Sequence, residues 1–314
     1  MRRGEKLAGG RLSDLFYKTE FQELNRVSDI MQIFEYIHQI CYTKEMKERK
    51  KPFLSVITIN RNNAEGLKRT VESVVEIAKD FENTEIEYII IDGNSTDDSK
   101  QIIENFSKSP AGKKVIRYWI SEPDEGIFNA INKGLKKANG QLINIMNSGD
   151  TFIPHSLKGL KEIYEQNPNA ILYGGVEITK NNKFSGSIYA PMHTQIKEVM
   201  MCHQAIFTPK IFHEKYGFYD ESFKARADYD FFLKLYTNNE KFIYIHKLVA
   251  LYDGNGFSQT SGLMPVETNI IKKKYNYISY SDNRIFITVK KMLKYICPFG
   301  LIILYSKLKS LIKK

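Results

Sequence analysis

Up to about residue 150 the sequence predicts an α/β protein with a doubly wound, mostly parallel sheet flanked by helices, and three observations carry that expectation. Apolar, β-branched runs alternate with amphipathic stretches from Leu54 onward. The runs are continuous rather than alternating in polarity, as strands buried on both faces must be. Each run also ends in a cluster of polar residues, where an open α/β sheet presents its ligand crevice.

The elements follow in order. Residues 1–51 read as a helical extension, with Phe16, Leu24, Val27, Ile30, Met31 and Ile37 at helical spacing and the charged run KEMKERKK at its end. LSVITIN is the first strand and AEGLKRTVESVVEIAKDF an amphipathic helix; EIEYIIID is the second strand and DDSKQIIENFS a helix. VIRYWIS then reads as a strand, GIFNAINKGLKKA as a helix stopped by Asn139-Gly140, and QLINIMN as the fourth strand. Strand lengths and helix lengths of this kind build a sheet covered on both sides.

Composition narrows the function classes. The net charge is +10, from 46 Lys plus Arg against 36 Asp plus Glu. Residues 272–314 hold ten Lys, one Arg and one Asp, so the excess sits there and the preceding 271 residues balance at 35 against 35. A duplex-gripping protein spreads its basic charge over a binding face, so a nucleic-acid partner is not expected. Cys41, Cys202 and Cys297 are odd in number and far apart, which fits a reducing compartment and no disulfide framework. No apolar signal-peptide run opens the chain, and the longest nearly uncharged apolar stretch, Tyr295–Tyr305, has 11 residues, short of the ~20 that a spanning helix needs. The lysine-rich tail, with Ile285, Ile287, Leu293, Ile302, Leu304, Leu308 and Leu311, reads as a membrane-surface helix interrupted at Pro298 and Gly300, or else as a solvated or partner-packed terminus.

The strand ends carry the chemistry. Neither GxGxxG nor GxxxxGK[ST] follows any strand, which weakens dehydrogenase and P-loop readings. In IDGNSTDDS, Ser95 and Asp98 read as a capping box, but Asp92 belongs to the sheet. A carboxylate there suits a base N–H as well as it suits a structural role. Asp124-Glu125-Gly126 lies at a loop-to-helix junction where side chains and N–H groups meet a ligand. NSGD ends strand four with Asp150 behind small residues, a suitable seat for Mg²⁺ with phosphate oxygens and also simply a good turn. In ARADYDFFLKLY, Asp228 shares a stripe with Phe231, Phe232 and Leu235, which marks it as the general-base candidate, with a helix-dipole role as the plain alternative. Asp230 is expected on the surface, paired with Lys234. His203 and His246 lie in or beside strand-like runs, where a hydrogen-bonded structural role is the commoner one.

Taken together, SVITINRNN, IIIDGNSTDDS, SEPDEGIFNAINKGLKKANGQLINIMNSGD, HQAIF and ADYDFFLKL resemble the family 2 glycosyltransferases of the GT-A fold. Each motif is weak, but the set is specific in order and spacing, and it matches bacterial members that build capsule, exopolysaccharide or lipopolysaccharide. The resemblance implies a GT-A domain over residues 52–258, between the helical extension 1–51 and a basic amphipathic region 259–314. It implies an inverting glycosyltransferase of hexosyltransferase type, using a nucleotide-sugar donor, usually UDP-linked, and a glycan or lipid-linked acceptor. Thr58, Asn60 and Asp92 would hold the nucleotide, with Asp124, Gly126, Ser148 and Gly149 lining the donor site. Asp150 would bind Mn²⁺ or Mg²⁺, with His246 as a further metal contact, His203 as a substrate contact and Asp228 as catalytic base. Ser148 stands where the first acidic residue of the DxD motif is expected, and Ala227 where an acidic residue often precedes the base. These departures keep a second reading in view, a non-catalytic sugar-nucleotide or glycan-binding module of an assembly complex. The expected place is the cytoplasmic face of the membrane, reached peripherally through residues 272–314, with a second copy of the chain as a further partner.

Overall fold

A computed structural model describes residues 51–82, 85–180, 183–254 and 262–277. The extension up to residue 50 and the amphipathic tail from residue 278 therefore lie outside the described residues. The mixed sheet runs β3-β2-β1-β4-β8-β6-β9-β5, with β7 paired to β6.

Its first half is the parallel unit that the alternating runs predict. β1 (Leu54–Asn60) pairs in parallel with β2 (Ile86–Asp92) on one side and β4 (Leu142–Ile145) on the other; β3 (Ile116–Ser121) forms the edge beyond β2. Side chains alternate across a strand, so β1 and β2 feed two cores. Val56, Tyr88 and Ile90 pack under α1 (Ala64–Ile77) and α2 (Ser99–Lys108), while Ile57, Ile89 and Ile91 pack under α4 (Ile127–Lys137). Asn63 caps α1 by accepting the Gly66 N–H at 3.2 Å, and Leu67, Val71, Val74 and Ile77 form its buried stripe. Gly134 lets α4 approach β1 closely, since a Cβ there would stand 2.4 Å from Ile57 Cγ2. That seats the N-terminus of α4 beside the strand ends.

Two local expectations need correction. Ser95 does not cap a helix: α2 begins at Ser99, whose N–H is accepted by Asp97, and the Ser95 hydroxyl turns back to Asp92. A short helix, α3 (Pro110–Val115), capped by Ser109, also stands between α2 and β3.

The second half adds β5 (Thr151–Phe152), α5 (Leu160–Gln166), β6 (Ile171–Lys180), β7 (Lys183–Tyr189), β8 (Ile206–Pro209), α6 (Lys210–Tyr216), α7 (Ala227–Thr237), β9 (Phe242–Asp253) and α8 (Met264–Lys274). β8 joins β4 antiparallel, so the sheet continues past β4 with reversed direction. The step from β1 to β4 is the switch point where the carboxyl ends of both strands open onto a crevice. Among the described residues no helix is long and apolar enough to cross a membrane.

Candidate active site

A cleft of about 810 Å³ opens at that switch point. Of the residues singled out in the sequence, Asn60, Asp124, Gly126, Ser148, Asp150, His203 and Asp228 line it. Chain direction explains the convergence. β1 delivers Asn60, the turn after β4 delivers Ser148 and Asp150, the loop after β3 delivers Asp124, and Gly126 opens α4. Gly126 has φ 131°, a value that a side chain would strain, and as the N-cap of α4 it lines the cleft at the helix end whose first-turn N–H groups lack an intrahelical partner.

Asp228 enters from the first turn of α7. Its side chain is 13% exposed and its Oδ2 lies 3.0 Å from His203 Nδ1. On its other side the His203 ring is held by Asn147, whose Nδ2 lies 3.1 Å from His203 Nε2. The Tyr229 N–H donates to Oδ1 at 2.8 Å. Burial pulls the Asp228 carboxyl upward, but the His203 bond and charge, the Arg226 guanidinium and the Tyr229 N–H outweigh it and hold the carboxyl below the ordinary value.

Asp150 is different. It is 4% exposed, and burial pushes its carboxyl up to about 6 despite hydrogen bonds from the Asp253 N–H at 2.8 Å and Gln204 Nε2 at 2.6 Å. The Asp253 carboxylate adds to the upward push. A cation held at Asp150 would offset the buried negative charge. Among the described residues no group of three or more His, Cys, Asp and Glu side chains stands ready to hold a metal. A Mg²⁺-class ion needs only one or two carboxylates when substrate phosphates complete its shell, so Asp150 with Asp253 fits that requirement.

Other expected residues lie outside the lining. Thr58 is buried, donating to the Met146 carbonyl at 2.7 Å and accepting from Tyr88 OH at 2.8 Å. Asp92 is fully buried behind Asn60, because the β1–β2 register sets the two side by side. Its carboxylate accepts four hydrogen bonds, from Asn60 Nδ2, Ser121 Oγ, and both the N–H and Oγ of Ser95. Burial pulls it up, yet these donors hold it below the ordinary value. Gly149 donates its N–H to Thr70 Oγ1 at 3.0 Å. His246 is exposed on β9, seven residues before Asp253, on the order of 20 Å away along the strand. The structure therefore does not bring it to Asp150.

Asp230 corrects another expectation. It is 2% exposed rather than on the surface, and Lys274 of α8 pairs with it at 2.8 Å, while Lys234 instead donates to the Tyr216 carbonyl. α7 is buried nearly all round, so its helical wheel has no plainly wet side. Glu267 of α8 accepts the N–H groups of Lys224 and Ala225 at 2.8 and 2.9 Å, and thus α8 is stitched to the segment that leads into Asp228. Sequence reasoning did not single out Gln204, Asn147 or Asp253 as site residues. Asn147 shares the turn of Asp150, whose N–H it accepts, and HQAIF placed Gln204 next to His203, but only the β4–β8 and β5–β9 pairings bring Gln204 and Asp253 to Asp150.

The sequence model of glycosyl transferase family 2 matches residues 55–217. An uncharacterized glycosyltransferase of Mycobacterium tuberculosis is 33% identical over 189 residues, which is 58% of this chain and 68% of that protein. TarS of S. aureus, solved with UDP-GlcNAc, superposes with a TM-score of 0.54 at 18% identity, over 66% of this chain and 60% of that one. The mannosyltransferase PcManGT from Pyrobaculum calidifontis, solved with GDP-Man and Mn²⁺, gives a TM-score of 0.54 at 12% identity over 84% and 81%. The sheet shares the GT-A type of architecture of these structures.

Proposed function

The chain belongs to glycosyl transferase family 2, and from that premise we propose that it transfers a sugar from a nucleotide-sugar donor, UDP-linked, to a hydroxyl of a glycan or lipid-linked acceptor in bacterial surface-polysaccharide synthesis. One observation carries the reading: Asp150 and Asp228 face a single cleft at the carboxyl ends of β1 and β4.

The chemistry follows from their different environments. Asp228 is ionised at neutral pH, and His203 orients its carboxylate. It takes the proton of the acceptor hydroxyl as that oxygen bonds to the anomeric carbon; the bond from that carbon to the diphosphate breaks, and the nucleoside diphosphate leaves. A single displacement of this kind inverts the anomeric centre. Arg61 and Lys224, both lining the cleft, supply positive charge near the diphosphate. When bound, Mn²⁺ or Mg²⁺ held by Asp150, with Asp253 as second carboxylate, supplies charge neutralisation for the leaving group. Asn60 Oδ1 and Asn147 Oδ1 are buried without a hydrogen-bond partner among the described residues. A donor's base N–H or sugar hydroxyls would satisfy such acceptors. Asn60 would meet the nucleotide with Thr58 and Asp92 supporting it from behind.

The test is a panel of UDP- and GDP-sugars, each scored by thermal stabilisation of the protein with and without Mn²⁺. A UDP-sugar that stabilises the protein, more so with Mn²⁺, supports the reading; stabilisation by none contradicts it. The second reading, a catalytically weak binding module, is favoured by Ser148 and Ala227 standing where acidic residues are expected. Slow UDP-sugar hydrolysis that disappears in Asp228→Asn favours the enzyme over that module.

A further inference from the structure

Leu263, the N-cap of α8, and Val266 and Ile270 on the helix form a row at i, i+3 and i+7 and are 37%, 58% and 50% exposed. The helix that presents them is firmly held on its other side. Glu267 accepts two backbone N–H groups, Ile271 is fully buried, and Lys274 pairs with Asp230. The row is thus a fixed outward face and not loose packing. It starts at the rim of the cleft, since Leu263 lines it, and it ends at the exposed Lys273.

We propose that this face of α8 docks on an anionic lipid bilayer, with Val266 and Ile270 entering the acyl boundary and Lys273 among the headgroup phosphates. The proposal rests on the reading of the chain as a transferase with a membrane-linked acceptor, and it adds a surface that sets the cleft rim at the membrane. Charge selects lipid over the other occupants. Residues 278–314 hold seven Lys and one Arg against one Asp, a net +7, so folding that segment onto the row would set cation against Lys273. A second copy would add a further Lys273 beside the row and no neutralising charge of its own there. An anionic surface is attracted by the lysine and by the net charge of the sequence that follows, and an apolar row ending in an exposed cation is what an interfacial helix offers such a surface.

The test uses the full chain in flotation with vesicles of phosphatidylcholine alone and of phosphatidylcholine with phosphatidylglycerol. Wild type should float with the anionic vesicles and release as salt rises. Val266→Asp with Ile270→Asp, both at exposed positions, should weaken partition by on the order of tenfold or more. Lys273→Glu should weaken anionic partition by about fivefold or more while leaving the weak phosphatidylcholine binding unchanged. UDP binding and UDP-sugar hydrolysis, measured on the same preparations, should match wild type. If the double variant floats as wild type does, the face is not the docking surface, whatever residues 278–314 contribute. If wild type does not float at all, the docking proposal fails, while the hydrolysis assay still decides the transferase reading independently.

Discussion

Replacing Asp150 by Asn should abolish activity and yet stabilise the metal-free protein. Burial lifts the Asp150 carboxyl from 3.8 to about 6. At ~1.4 kcal/mol per unit, keeping it ionised above that pH costs the native state about 3 kcal/mol. Asn carries no charge, so this cost vanishes. Against that, Asn offers a single acceptor oxygen to two donors, Gln204 Nε2 and the Asp253 N–H, and the unmatched donor costs about 1–2 kcal/mol. The net gain is on the order of 1–2 kcal/mol at pH 7.5, or a few degrees in Tm. Because the native pKa is raised, the wild-type contribution is fully present below the unfolded value of 3.8 and is lost as pH rises through about 6. Metal-free melts from pH 4 to 8 should therefore show Asp150→Asn ahead at pH 7.5, the order reversing as pH falls, and the variant behind wild type near pH 4, where only the unmatched donor remains. Added Mn²⁺ should stabilise wild type at pH 7.5 and leave the variant unchanged. A variant less stable than wild type at pH 7.5, or a difference constant across the range, refutes the reasoning.

Two further expectations concern the surroundings of Asp228. His203→Gln removes the ring that holds Asp228 low, so the acid limb of kcat/KM should move to higher pH and kcat should drop by about tenfold or more; an unmoved limb would show that the ring does not set the base. At the α7–α8 contact, Lys274→Met should cost more stability than Asp230→Asn, as measured by urea unfolding. The first leaves an uncompensated carboxylate with 3% side-chain exposure, at about 3 kcal/mol. The second leaves a lysine whose side chain is already 43% exposed, at about 1 kcal/mol. Equal losses would mean that the pair is not asymmetrically buried.

Much of the parallel half was legible because β1 and β2 are buried on both faces and so read as unbroken apolar runs. Asp150 and Asp228 were legible for different reasons, one as a carboxylate at a strand end and the other as a carboxylate on an apolar helix stripe. The side toward which a strand-end carboxylate turns was not legible. Asp92 occupies the same kind of position as Asp150, yet the Asn60↔Asp92 register and three serine donor groups enclose it. Asp230 was misread because α7 is buried nearly all round, so period alone could not separate its faces. Asp253 was hidden by β9, a twelve-residue strand whose pairing with β6 shifts register twice. Its link to Asp150 spans 103 residues and depends on antiparallel pairing that no local pattern announces.

The central claim is that Asp228 is the base of a sugar transfer carried out in this cleft. Asp228→Asn keeps the size of the side chain and its place beside His203 while removing its ability to take a proton. Turnover of the nucleotide sugar that stabilises the protein, measured beside the affinity for UDP, tests the claim directly. Turnover reduced by ~10²-fold or more with UDP affinity unchanged is the predicted result; turnover at the wild-type rate would contradict it.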